Sequence, residues 1–355
     1  MEHKTRIKGN VHYVGVNDRN KHRFEGMWPL PYGVSYNSYL IDDEMVALVD
    51  TVDICYFEVY LRKIKQVIGE RPINYLIINH MEPDHSGSIR LIKQHYPEII
   101  IVGNKQTFGM IEGFYGVTGE QYLVKEGDFL ALGHHKLRFY MTPMVHWPET
   151  MMTFDETDGV LFSGDGFGCF GTVDGGFLDT RINVDKYWGE MVRYYSNIVG
   201  KYGSPVQKAL QKLGGLPISA ICSTHGPVWT ENIAKVIGIY DRLSRYDADE
   251  GVVIAYGSMY GNTEQMAEAI AEELSAQGVK NIVMHNVTKS HPSYIIADIF
   301  RYKGLIIGSP TYSNQIFPEV EALLSKILLR EVKGRYLGCF GSFAWAGAAV
   351  KRLAE

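Results

Sequence analysis

Two α/β domains in tandem are what this chain predicts, on three observations. Its 355 residues exceed one typical domain. Short apolar or β-branched runs alternate throughout with amphipathic helical stretches. From Val252 the alternation becomes regular strand–loop–helix units, the pattern of a doubly wound parallel sheet. The expected boundaries are a first domain over residues 1–246, a linker over 247–251 (Asp-Ala-Asp-Glu-Gly) and a second domain over 252–355.

In the first domain four runs read as strands: Tyr75–Asn79, Leu137–Thr142, Gly159–Ser163 and Ser219–Ser223. A helix near Glu231–Tyr246 closes it. Tyr39, Tyr60 and Tyr75 fit the core. In the second, Val252–Tyr256 is an unbroken apolar run, as a strand buried on both faces should be, and it leads into an amphipathic helix over Glu264–Gln277. Further strands are expected at Asn281–Asn286, Gly304–Gly308 and Tyr336–Gly341.

Composition excludes several function classes. With 46% hydrophobic and 21% charged residues and a net charge of −5, neither a nucleic-acid nor a membrane-surface partner is indicated. No apolar run approaches the roughly 18 residues that span a bilayer, and no apolar segment follows the charged start, so a cytoplasmic protein is expected. Cys55, Cys169, Cys222 and Cys339 form no Cys-x-x-Cys pair and read as small buried hydrophobes; a zinc ribbon or a rubredoxin-type iron site within the chain is excluded.

The chemistry is carried by His80, Glu82, Asp84, His85, His146, Asp165 and His225. The first four sit in Asn79-His-Met-Glu-Pro-Asp-His-Ser-Gly87, and each of the others follows one of the strands above. Strand ends let a rigid sheet aim side chains at one point, as a metal site requires. Two adjacent cations need a shared anionic ligand, and Asp165 is the natural bridge. That leaves His80, Glu82 and His146 for one metal, and Asp84, His225 and an optional His85 for the other. Three carboxylates suit a harder, redox-active ion such as iron, whereas zinc favours His- and Cys-rich sites.

His-x-Glu-x-Asp-His followed by isolated His, Asp and His resembles the flavodiiron proteins. The resemblance implies a metallo-β-lactamase-like αββα sandwich with two non-haem irons. Glu82 stands where hydrolases of that fold carry a second His and bind zinc, so the alternative is a zinc hydrolase fused to a flavodoxin module. His85 is the ligand that the family binds in some members and turns away in others. Glu25, in Arg23-Phe-Glu-Gly26, falls where many relatives carry His, a departure that bears on pocket polarity. Tyr194 or Tyr195 could donate a hydrogen bond to a metal-bound diatomic; the alternative is ordinary packing on a helix. His3, His12, His22, His95, His134, His135, His285 and His291 lack ligand-like context and are expected to face solvent.

The second domain offers a loop, Ser258-Met259-Tyr260-Gly261-Asn262-Thr263, that opens a helix. Its hydroxyls and backbone N–H groups can cradle a phosphate, and it is neither a dinucleotide fingerprint nor a Walker loop. Pro310, Thr311, Tyr312 and Asn314 follow the third strand, and Ser342, Phe343, Ala344, Trp345 and Gly347 the fourth. Loops at the carboxyl ends of parallel strands bind ligands in such sheets. The three loops resemble flavodoxin, which implies FMN. A flavodoxin domain has five strands and a closing helix, so the chain is expected to continue beyond Glu355.

Taken whole, the resemblance implies reduction of dioxygen to water, of nitric oxide to nitrous oxide, or both, without separating the two. Electrons would arrive through FMN from rubredoxin or another small donor. It also implies a head-to-tail homodimer or a dimer of such dimers.

Overall fold

The computed structural model describes residues 5–355 and divides them into two units. The first comprises the residues through Met191 together with Ser204–Asp241; the second comprises Val192–Gly203 and Arg242–Glu355. The boundary therefore differs from the expected one. The supposed linker is partly strand: Asp249–Tyr256 is the first strand of the second sheet, and Asp249 is already in register with Tyr302. His3 lies outside the described residues.

The first unit is built on two sheets. One runs Arg6–Lys8, Val11–Tyr13, Tyr39–Ile41, Ala47–Val49, Tyr75–Ile77, Ile100–Gly103 and Gln121–Leu123; the other runs Phe129–Ala131, Lys136–Met141, Met151–Asp155, Val160–Gly164 and Ala220–Ser223. A single apolar core takes Tyr39, Ile41, Val49 and Ile77 from one sheet and Leu137, Phe139, Phe162 and Cys222 from the other, so the two pack face to face. The rings of Tyr39 and Phe162 meet across it at 5.5 Å. Alternate residues Leu40, Leu48 and Leu76 are also fully buried, on the opposite face, which requires a helical layer there. Helix Phe57–Ile68 has the required stripe, with Phe57, Tyr60, Leu61, Ile64 and Ile68 buried, and the Tyr60 hydroxyl donates to the Asp50 carbonyl at 3.2 Å. The result is the expected αββα sandwich.

In the second unit the order is Ile282–Asn286, Asp249–Tyr256, Tyr302–Tyr312 and Tyr336–Ser342, all parallel, with a short antiparallel piece at Gln315–Ile316. Along the first strand, Val253 and Ala255 face one core with Ile295, Leu305 and Val320. Ile254 and Tyr256 face a second with Ala267 and Phe340. Burial of both faces is what the unbroken apolar run required. Tyr336–Ser342 pairs with no further strand among the described residues, and Tyr336 and Leu337 are exposed.

Two groups of expectations are corrected by burial. His12 and His135 do not face solvent: both are buried, and His135 Nδ1 lies 2.9 Å from Asp155 Oδ2, a pair that makes each polar group the other's partner. Cys55 and Cys339 are exposed, whereas Cys169 and Cys222 are buried as expected.

Candidate metal centre and flavin pocket

The metal candidates converge because the strands that carry them end close together. Val160–Gly164 runs parallel to Ala220–Ser223, so Asp165 and His225 leave the second sheet at the same end. His146 arrives from the loop between Lys136–Met141 and Met151–Asp155. His80 follows Tyr75–Ile77 in the first sheet, and the loop after it is pinned by Asp50. That buried carboxylate accepts from the backbone N–H of Asn79 at 2.7 Å and of His80 at 3.3 Å. Pro83 then opens a single helical turn, Pro83–Ser86, which separates His80 and Glu82 before it from Asp84 and His85 on it.

Two buried donor groups result. In one, His80, Glu82, His146 and Asp165 place ligand atoms within 4.8 Å of one another; in the other, Asp84, His85 and His225 do the same. Asp165 joins them. Its Oδ2 lies 3.0 Å from His146 Nε2 and 3.6 Å from His80 Nε2, while Oδ1 lies 3.3 Å from His85 Nε2 and 3.8 Å from His225 Nε2. This is the arrangement a bridging carboxylate needs. Glu82 Oε2 lies 3.1 Å from His146 Nε2, and the Nε2 atoms of His85 and His225 approach to 3.0 Å. All seven predicted residues are thus brought together, His85 included.

The groups fit cations. His80 Nε2 and both Asp84 carboxylate oxygens are buried without a hydrogen-bond partner among the described residues, a cost that a positive ion removes. The electrostatics of the ion-free cluster make the same point. Burial alone would raise the Asp165 pKa, but the charge of His80 and the hydrogen bonds of His146 and His85 hold it well below the carboxylate range. Burial likewise opposes ionisation of Glu82, yet His146 and His80 bring it to about 2. The site is built to stabilise negative oxygen facing positive charge.

Four contributors carry no sequence motif. Glu149 Oε1 accepts from His80 Nδ1 at 2.8 Å and from the Met81 N–H at 2.9 Å, which leaves His80 Nε2 as the free ligand atom. The Ser35 carbonyl accepts from His225 Nδ1 at 2.8 Å and does the same for that ring. Thr224 donates to Asp165 Oδ1, and Asp50 holds the loop start. Glu149 had one available signal, an acidic residue in the same Pro-flanked loop as His146; a backbone carbonyl such as that of Ser35 has none.

A cavity of about 920 Å³ reaches the site and is lined by Glu82, Asp84, Gly87, Lys21, Glu25 and Arg90 among others. Glu25 accepts from Trp28 Nε1 at 2.8 Å. Desolvation and the charge of Glu82 raise its pKa. Tyr194 and Tyr195 are fully buried in the second unit, and Tyr195 has Phe300 as an edge-on neighbour at 6.2 Å.

In the second unit, the three loops after the parallel strands enclose about 560 Å³. Met259, Tyr260, Asn262, Pro310, Thr311, Tyr312, Asn314, Ser342, Phe343, Ala344 and Trp345 line this space, joined by Ser313 and Ala346, which sequence reasoning passed over. Ser258, Gly261, Thr263 and Gly347 act behind the wall. Ser258 Oγ accepts from the N–H of Gly261 at 3.1 Å and of Glu264 at 3.4 Å, and Thr263 Oγ1 lies 2.9 Å from Ser342 Oγ, tying the first loop to the third. Gly261 has φ of 90° with nothing within 4 Å of a Cβ position, so no side chain crowds the start of helix Asn262–Ala276. Tyr260 and Trp345 are 90% and 87% exposed, aromatic faces free to meet a flat ring. The pocket fits a flavin mononucleotide.

Among the described residues no helix is long and apolar enough to cross a membrane. Residues 34–226 match the family described as ODP family beta lactamase, and residues 254–355 match flavodoxin. The anaerobic nitric oxide reductase flavorubredoxin of Vibrio vulnificus (strain YJ016) is 33% identical over 353 residues, covering 98% of this chain and 71% of that protein. The rubredoxin oxygen:oxidoreductase of Desulfovibrio gigas superposes with a TM-score of 0.94 at 32% identity, over 99% of this chain and 88% of the other. The flavodiiron protein of Giardia intestinalis does so with 0.93 at 28%, over 97% and 84%.

Proposed function

The chain belongs to the flavodiiron proteins, oxidoreductases with FMN and a non-haem diiron site, and from that premise we propose that it reduces dioxygen to water, nitric oxide to nitrous oxide, or both. The observation that carries this reading is the pair of donor groups divided by Asp165, with Glu82 at the position that a zinc hydrolase of this fold gives to histidine. When bound, the two irons and FMN supply the electrons and the open coordination positions for a diatomic gas.

The protein's own part is to hold and orient. His80, Glu82 and His146 would ligate one ion, Asp84, His85 and His225 the other, and Asp165 both. Three carboxylates against two divalent ions leave a charge near balance in a buried site, which favours a change of oxidation state over fixed Lewis acidity. Glu149 and Ser35 take the Nδ1–H of His80 and His225, so each ring would turn Nε2 to a bound metal. The loop Ser258–Thr263 would seat the FMN phosphate at the start of helix Asn262–Ala276, with Ser258 and Thr263 bracing the loop from behind, and Tyr260 and Trp345 would flank the ring. A small donor of the rubredoxin kind would supply electrons, as the family resemblance supports. The family resemblance supports a head-to-tail homodimer.

The test is metal and flavin analysis of the purified protein, followed by anaerobic turnover with each gas. About two irons and one FMN per chain, with consumption of at least one gas, are expected. Zinc in place of iron, or a loaded protein inert to both gases, would overturn the reading.

A further inference from the structure

Strand Val34–Tyr36 serves the metal centre twice. Ser35 holds His225 through its carbonyl and the following Gly226 N–H through its hydroxyl, at 2.8 Å each. The next residue turns its side chain to the other face of the strand, and there Tyr36 sits among the second group of donors. Its ring meets His225 edge-on at 6.1 Å and His85 at 6.3 Å. Tyr36 is fully buried, yet its hydroxyl has no hydrogen-bond partner among the described residues.

A buried O–H with nothing to donate to destabilises a fold, and a phenylalanine would pack against the same rings without that cost. The neighbours do not remove it. The Lys21 ammonium lies over the ring face, 5.3 Å from its centre, and is paired with Asp53 at 3.2 Å. Burial first, and then the negative charges of Asp84, Asp53 and Asp18, push the Tyr36 phenol pKa up.

We propose that the Tyr36 hydroxyl donates a hydrogen bond to the small exogenous ligand held by the cation of the Asp84, His85 and His225 group. Tyr36 thereby becomes a ligand-contacting residue that no motif in the chain announces. The inference rests on the diiron reading, and the iron content of both proteins separates the two: failure to find iron in the native chain would sink that reading, whereas the comparison below concerns Tyr36 alone.

The experiment compares native holoenzyme with Tyr36→Phe, both oxidised and titrated with azide as a small anionic ligand. Absorbance gives the affinity, and infrared spectroscopy gives the azide stretch in water and in heavy water. The variant should keep its iron and FMN, its azide dissociation constant should rise about three- to tenfold, and the heavy-water shift of the azide band should vanish. The metal-free variant should melt no lower than the metal-free native protein, because the lost hydroxyl had no protein partner. An unchanged azide affinity and isotope shift would overturn the proposal. So would loss of iron or a lower melting temperature, since either would mean that the hydroxyl serves the protein's own groups.

Discussion

Removing Glu149 tests whether orientation of the first donor group is built in from outside it. Its carboxylate is fully buried and accepts two hydrogen bonds, from His80 Nδ1 at 2.8 Å and from Met81 N at 2.9 Å. Glu149→Ala leaves both donors buried without an acceptor and frees the His80 ring to turn. Outer partners of this kind change metal affinity by about ten- to a hundredfold, or roughly 1.4 to 2.8 kcal/mol. The alanine variant should fall at the upper end. Glu149→Gln keeps an acceptor oxygen but loses the charge and places an amide NH2 where Oε2 now has no partner, so it should fall near the lower end. The assay is release of ferrous iron from the loaded protein to a coloured chelator under anaerobic conditions. Two kinetic phases are expected, and only the one belonging to the His80 group should accelerate. Equal acceleration of both phases, or native rates for the alanine variant, would refute the reasoning.

The bridge is tested by Asp165→Ala, which should abolish the two-metal site while FMN remains bound; two irons per chain in that variant would remove Asp165 from its role. Protonation sets the pH response of the metal-free protein. Burial alone would lower the His146 pKa, but its hydrogen bonds to Asp165 and Glu82 outweigh this and hold it at about 9, above the ordinary histidine value. Its stabilising contribution is therefore complete below that ordinary value and is lost as pH rises through about 9. Glu82 behaves oppositely: its contribution is present above the ordinary carboxylate value and is lost as pH falls through about 2. Metal must displace the His146 proton at neutral pH, so uptake should acidify a weakly buffered solution and apparent affinity should climb with pH towards about 9; uptake without proton release would contradict this. In the second unit, Trp345→Ala should weaken FMN binding by about 0.5–1.5 kcal/mol, a few-fold to about tenfold, without changing iron content, and an unchanged FMN affinity in equilibrium titration would take Trp345 out of the ring contact.

The candidate donor set was legible because it obeys local rules. A His-x-Glu-x-Asp-His run after an apolar strand, and single His and Asp residues after others, place chemistry at strand ends whatever the sheet order is, and the Gly- and hydroxyl-rich loops of the second unit follow the same logic. The strands were legible for the same reason: Val253 and Ile254 face opposite cores, and burial on both faces demands an unbroken apolar run. What local rules cannot supply is pairing across sequence. Asp249 reads as part of an acidic linker until Tyr302 pairs with it, and His135 reads as a surface residue until Asp155 meets it 20 positions away.

Distance along the chain decides the rest. Within its own segment Tyr36 is one more strand tyrosine; only the return of the chain 190 positions after Ser35 brings His225 against that strand. Glu149, at 69 positions from His80, has the same character. The sequence by itself determined which residues can hold metal and flavin, since that depends on side-chain chemistry and position along a strand. The tertiary structure alone decided how Asp165 divides its oxygens, which ring nitrogens face it and which buried hydroxyl has nothing to donate to. Those depend on hydrogen bonds and charges that act over a few ångströms of space and leave no periodic trace in the chain.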